Sequence, residues 1–259
     1  MRNFLISSLI VFMTFTSIYS QNNNQIDELI IQGKALVQEG LTKLDGGILI
    51  KARAHFERLL QQNQMPWLIH YYLGYIDYRL NLYFQSKNDN DSSIKYLDDG
   101  IQHLKKSIQL KEDFAESHAL LSILLGQKIS TDPSLGMQLG PEAGFELQRA
   151  QQLDKDNPRV AFISAMSTYF TPPEFGGSKI RAIEEMKEAI HLFEKQKIED
   201  PRLPDWGHAE ALLWLARFYI QENQWERAQI YLDQALKIEP DSQFAKIVQE
   251  QLKQASRQK

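Results

Sequence analysis

AEALLWLARFYIQENQWERAQIYLDQALKIEP, residues 209–240, places its small and large apolar residues where two antiparallel helices need them. Counting Ala209 as position 1, Leu212 stands at 4, Leu215 at 7, Ala216 at 8, Tyr219 at 11, Ala228 at 20, Leu232 at 24, Ala235 at 27 and Pro240 at 32. Ala216, Ala228 and Ala235 are small where helix axes must approach, while Leu215, Tyr219 and Leu232 fill the space between. A hairpin this amphipathic cannot bury its face alone, so stacked neighbours are expected.

The same register runs upstream. The second-helix triplet of small, large and small recurs as Ala182, Met186 and Ala189, as Ala143, Leu147 and Ala150, and as Gly100, Leu104 and Ser107. Ala52, Phe56 and Leu59 repeat it with a large residue at the third place. Trp67, Ala115 and Pro158 then fall at first positions, and their helices carry Gly74, Ser122 and Ala165 at position 8, small each time. Departures lie at position 7, where the fourth unit has Ser164, and at position 11, where the second has Asp77 and the fourth Thr168. At its signature positions this pattern resembles the tetratricopeptide repeat. The resemblance implies an all-α, right-handed solenoid of about five helical hairpins, at about 26–63, 66–111, 115–155, 158–195 and 209–240. A helix over 241–255, opened by Asp241-Ser242 and apolar at Phe244, Ile247, Val248 and Leu252, is expected to cap the last unit.

Composition permits this. The chain has 259 residues, 43% of them hydrophobic, ample for a continuous helical core, and no alternating strand segments. Residues 1–20 stand apart: Arg2, an apolar stretch from Phe4 to Ile18, and Ser20 before the polar run Gln21 to Gln25 resemble a secretory signal peptide. The stretch falls short of the roughly 20 apolar residues of a membrane span. Its removal would take away Arg2 and move the formal net charge from −4 to −5. A periplasmic or secreted protein without stable membrane insertion is therefore expected. Cysteine is absent, which excludes disulfides, thiolate chemistry and a lipid-modified cysteine.

Signals for chemistry are few. The six histidines lie singly on different segments, with no HExxH or other ligand spacing, so no metal site is expected. No GxSxG elbow, phosphate loop or dinucleotide fingerprint occurs, and the chain reads as neither an enzyme nor a cofactor protein. The acidic balance and the lack of a basic stripe argue against nucleic acid.

The inner face carries more. In stacked repeats of this kind, positions 2, 5, 9, 12 and 13 of each first helix point into a concave groove. The second unit presents there Tyr71, Tyr75, Tyr78 and Arg79, the fourth Arg159, Phe162, Met166, Tyr169 and Phe170, and the fifth Glu210, Leu213 and Arg217. Such a lining suits a peptide or an acidic amphipathic ligand, since rings offer contact area at low entropy cost and arginine pairs bidentately with carboxylates. The same residues equally suit packing against an inserted loop or a neighbouring helix.

Unit lengths differ. From position 8 to position 20 the fifth unit uses 12 residues, the fourth 17, the third 21 and the second 26, which reads as lengthened loops along one edge. These include Lys128 to Pro141, although part of the second unit's excess could be a longer first helix through Tyr83. A separate insertion, Gln196 to His208, is expected to loosen the fourth unit from the fifth. The stretch Asn157-Pro158-Arg159 through Tyr169 to TPPEFGG at 171–177, with Ala182 and Ala189, resembles the periplasmic tetratricopeptide subunit of tripartite ATP-independent transporters. Covering about 114–193, that resemblance implies a solute-binding protein as partner, or a carrier of small acidic or hydrophobic ligands.

Overall fold

Small residues at the helix crossings set the architecture. Ala216, Ala228 and Ala235 are all fully buried, and at Gly74 a side chain would meet Leu104 at 2.6 Å, so α3 and α4 approach backbone to side chain. The computed structural model describes residues 25–257. Among them are eleven α-helices and no strand: α1 over 25–43, α2 Gly46–Leu60, α3 Pro66–Ser86, α4 Asn90–Leu110, α5 Ala115–Thr131, α6 Gly136–Leu153, α7 Pro158–Phe170, α8 Lys179–Lys195, α9 His208–Gln221, α10 Trp225–Ile238 and α11 Gln243–Arg257. They pair as hairpins, α3 with α4 through α9 with α10, α1 packs on α2 through Gly33 against Phe56 and Gly40 against Leu49, and α11 closes the stack against α9 and α10. The proposed signal segment lies outside the described residues. Within them, no helix is long and apolar enough to cross a membrane.

Helix starts follow local chemistry. Asp45 accepts from the amides of Gly47 and Ile48, Asn157 from those of Arg159 and Val160, and Ser242 from that of Ala245. Pro66 and Pro158 stand in first turns, where a missing N–H costs nothing. The departures from the repeat pattern also find reasons. Asp77, at a position that usually carries a large ring, accepts from Arg53 Nε at 2.6 Å across the α2–α3 crossing. Ser164 accepts from Gln151 Nε2 at 3.0 Å, a polar seam where α6 meets α7.

The reading of Lys128 to Pro141 as a loop needs correction. Helix α5 runs on to Thr131, a 3-10 turn spans Pro133–Leu135, and α6 begins at Gly136 and carries Pro141 within it. The extra length of the second unit is likewise helical, in the 21 residues each of α3 and α4. In these two units the extra residues extend the helices, which satisfies their backbone groups internally, while residues 171–178 of the fourth form a loop with a 3-10 turn at Pro173–Phe175. Helix α6 buries only Ala150 fully and leaves Met137 and Phe145 exposed.

Candidate interaction site

The segment 196–207 between α8 and α9 determines what the inner face is. It does not loosen the fourth unit from the fifth, as its length and polarity suggested; it crosses the inner face and is tied along its path. Lys34 of α1 donates to the carbonyls of Pro201 and Leu203 at 2.6 and 2.7 Å and pairs with Asp205 at 3.0 Å. Arg202 pairs with Asp27 of α1 at 2.9 Å, and the Tyr72 hydroxyl donates to the Arg202 carbonyl at 2.6 Å. A left-handed Gly207, φ 113°, turns the segment into α9, and its α-carbon faces the Phe193 ring so closely that a side chain would meet it at 2.7 Å.

Trp206 fills the groove of the second unit. Its indole stacks on Tyr75 with ring centroids 4.5 Å apart, and its N–H donates to the Tyr71 hydroxyl at 2.9 Å. Tyr71 in turn donates to Glu116 at 2.8 Å, while Arg159 Nε and Asn157 Nδ2 donate to the other oxygen of the same carboxylate at 2.8 and 3.1 Å. Arg159 completes its fork on the Trp206 carbonyl and Gln196. Arg79 makes a two-pronged pair with Glu210 and lies 4.9 Å over the rings of both Tyr75 and Tyr78. This is a buried polar network in which Arg79 Nε is left without a hydrogen-bond partner among the described residues. Burial drives the phenols of Tyr71 and Tyr75 upward and pushes Tyr78 up to about 12, so all three stay neutral; Tyr71 donates to Glu116, whereas Tyr75 accepts from Arg79 Nη2 at 3.1 Å. For Arg159, burial opposes the charge, yet Glu116 outweighs it and the guanidinium is held above its ordinary value.

Apart from Phe170 and Glu210, the residues read as groove lining separate into two sets. Tyr71, Tyr75, Tyr78, Arg79, Arg159, Phe162, Met166 and Leu213 are buried. Tyr169 and Arg217 are half-buried, near enough to act on each other, and have no contact with segment 196–207 among the described residues. Tyr169 stacks on Phe218 at 3.7 Å and contacts Phe170, which is 59% exposed and meets Trp214 edge-on at 5.7 Å. Arg217 lies 4.3 Å over Trp214 and 5.9 Å over Phe244 of α11, and Lys179 of α8 lies 5.7 Å over Tyr169. Burial among these rings holds Arg217 below its ordinary value, opposed only by Tyr169. The Tyr169 hydroxyl is buried without a hydrogen-bond partner among the described residues.

Sequence reasoning missed Trp206, Trp214 and Phe244. Trp206 sits in the linker sequence Leu203-Pro204-Asp205-Trp206-Gly207, and a tryptophan between proline and glycine in an otherwise polar linker is a signal for docking onto the core. Trp214 occupies position 6, beside the inner stripe, and Phe244 reads from sequence as part of the cap alone. Two histidines that look isolated in the sequence also meet: Nδ1 of His70 and Nδ1 of His103 lie 2.9 Å apart, joining α3 to α4. Among the described residues no group of three or more potential ligands surrounds a common point.

Comparison with known proteins agrees with the geometry. Residues 183–250, from within α8 to within α11, match the family model for the tetratricopeptide repeat. The HusA haemophore of Porphyromonas gingivalis superposes with a TM-score of 0.60 at 20% identity, over 75% of this chain and 92% of that one. A thermophilic tetratricopeptide-repeat protein of Thermus thermophilus superposes with a TM-score of 0.55 at 14% identity, over 86% and 98%. At these identities the likeness is one of fold. The chain is a solenoid of helical hairpins that matches the tetratricopeptide repeat over residues 183–250, with its own inter-helix segment laid across the inner face.

Proposed function

We propose that the protein is an exported, non-catalytic scaffold that binds a segment of a protein partner at the uncovered end of its inner face. The observation that carries this reading is the patch of Tyr169, Phe170, Trp214, Arg217 and Phe244, where rings and a guanidinium remain accessible while their counterparts on α3 are covered. Exposed aromatic surface on a rigid helical frame is costly unless used in recognition. The groove expected over Tyr71 to Arg79 is, on this reading, core, and binding is confined to the ends of α7 and α9 with the flank of α11.

Photo-crosslinking tests it. A photoreactive residue at Phe170 should yield one recurring adduct in intact cells, and the same residue at Tyr75 none. Adducts from Tyr75 alone, or from neither position, would overturn the assignment. Export is checked separately, by sequencing the amino terminus of the cell-envelope or secreted protein, which should begin at about Gln21.

A second reading, a carrier of small anionic ligands, is favoured by the flat ring faces around Arg217 and by the fold shared with a protein described as a haemophore. Native mass spectrometry of gently purified protein should then show a bound acid, and a clean apo mass would remove this reading. The resemblance over residues 114–193 adds a transporter solute-binding protein to the partners worth testing by co-purification.

A further inference from the structure

Arg217 differs from the arginines held elsewhere in the fold. Arg53 is answered by Asp77 and Asp99, Arg79 by Glu210, and Arg159 by Glu116. Arg217, held among the rings of Trp214 and Phe244, has no carboxylate within ion-pair distance among the described residues. Lys179, over Tyr169 on the other side of the aromatic cluster, likewise has none. Glu222 is near enough to act on Tyr169 but pairs with neither cation. A positive, partly desolvated patch therefore sits on a chain whose formal net charge is −4. Losing water without gaining a counter-ion is unfavourable for a guanidinium, so this arrangement is stabilised by whatever brings an anion to it.

Resting on the scaffold reading above, we propose that the patch selects acidic peptide segments, taking a side-chain carboxylate on Arg217 and an adjacent apolar or aromatic side chain on Phe170. A guanidinium held over the Trp214 ring presents a planar fork of N–H donors, which a carboxylate binds bidentately. Lys179 supplies a second, less directional attraction and fixes the end to which the next acidic residue runs. The exposed Phe170 ring, beside Trp214, provides the apolar contact that distinguishes a peptide from a simple anion.

The test uses the full chain without its leader and a fluorescein-labelled, C-terminally amidated octapeptide, Gly-Glu-Asp-Phe-Asp-Leu-Glu-Gly, read by anisotropy. Its isologue with Gln and Asn for every acid serves as control. We expect saturable, salt-weakened binding of the acidic peptide and at least about tenfold weaker binding of the isologue. Arg217→Gln should lose about tenfold while keeping the helical circular dichroism signal; Arg217→Lys should restore part of it, and Phe170→Ala should weaken the acidic peptide alone. Equal binding of the isologue, or undiminished binding to Arg217→Gln, overturns carboxylate selection while leaving the Phe170 crosslink, and with it the scaffold reading, intact. Full displacement by millimolar inorganic phosphate overturns the peptide in favour of a simple anion site. Failure of wild-type protein to bind the acidic peptide overturns the inference, and the crosslink from Phe170 then decides whether the scaffold reading falls with it.

Discussion

The inner faces of α3 and α9 are made of the same materials and end in opposite states. On α3, Tyr75 and Arg79 lie against Trp206, Arg79 covers Tyr78, and Glu210 of α9 neutralises the arginine. On α9, Trp214 and Arg217 receive no such cover and no counter-ion from the described residues. Rings and a guanidinium at helical spacing are thus core where the chain supplies a lid and a carboxylate, and candidate site where it supplies neither. The lid comes from twelve residues, 196–207, which lie outside the repeat pattern, and the carboxylate from Glu210 of α9.

This contrast can be broken from either side. The largest effect is expected at Glu116, where three donors converge: Glu116→Ala leaves Arg159 buried and unpaired and should cost about 4 kcal/mol in urea unfolding followed by circular dichroism. A loss below about 1 kcal/mol would mean that water reaches Arg159 and that the inner face is not dry. Trp206→Ala should cost about 3 kcal/mol and make 196–207 a preferred site of limited proteolysis, whereas an unchanged cleavage pattern would show the segment held by its α1 contacts alone. Gly207→Ala combines a positive φ with contact against Phe193 and should cost about 2 kcal/mol.

Next in size is a pH effect on the closed side. Burial, which outweighs Arg53, pushes Asp77 up to about 7. A carboxyl whose folded value lies above its unfolded value binds protons more readily in the fold, so stability is greatest at acid pH and falls as pH rises from 3.8 through about 7. A decline of about 1–2 kcal/mol between about pH 5 and 7, flattened in Asp77→Asn, is expected in thermal melts, and an unchanged slope in that variant would exclude Asp77 as its source. The smallest effect belongs to the open side: Arg217→Gln should change stability by less than about 0.5 kcal/mol, in the stabilising direction, because it removes a charge that no carboxylate of the described residues answers. A large loss there would place Arg217 with the structural arginines and erase the contrast.

Much of the fold was legible because helix crossings demand small residues and the helix period makes their spacing visible. Gly74 against Leu104, and Ala216, Ala228 and Ala235 at their crossings, occupy the places that the register of residues 209–240 assigns them. The loop reading of 128–141 failed because glycine and proline at 133, 136, 140 and 141 look like breakers; the first opens a 3-10 turn and Pro141 is tolerated inside α6. The site was legible only in part. Periodicity placed Tyr71, Tyr75, Tyr78 and Arg217 on inner stripes, but the occupant of the stripe on α3 is 128 residues or more away in sequence, at Trp206, where no local period applies.

By itself, the amino-acid sequence determined that this chain is a stack of helical hairpins, since amphipathic period and small contact residues are local properties that few other architectures satisfy. Which inner residues became core and which stayed open was decided by tertiary structure alone. That outcome depends on burial and charge pairing between segments far apart in the chain, Lys34 with Leu203, Glu116 with Arg159, Trp206 with Tyr75, and such pairings leave no periodic trace.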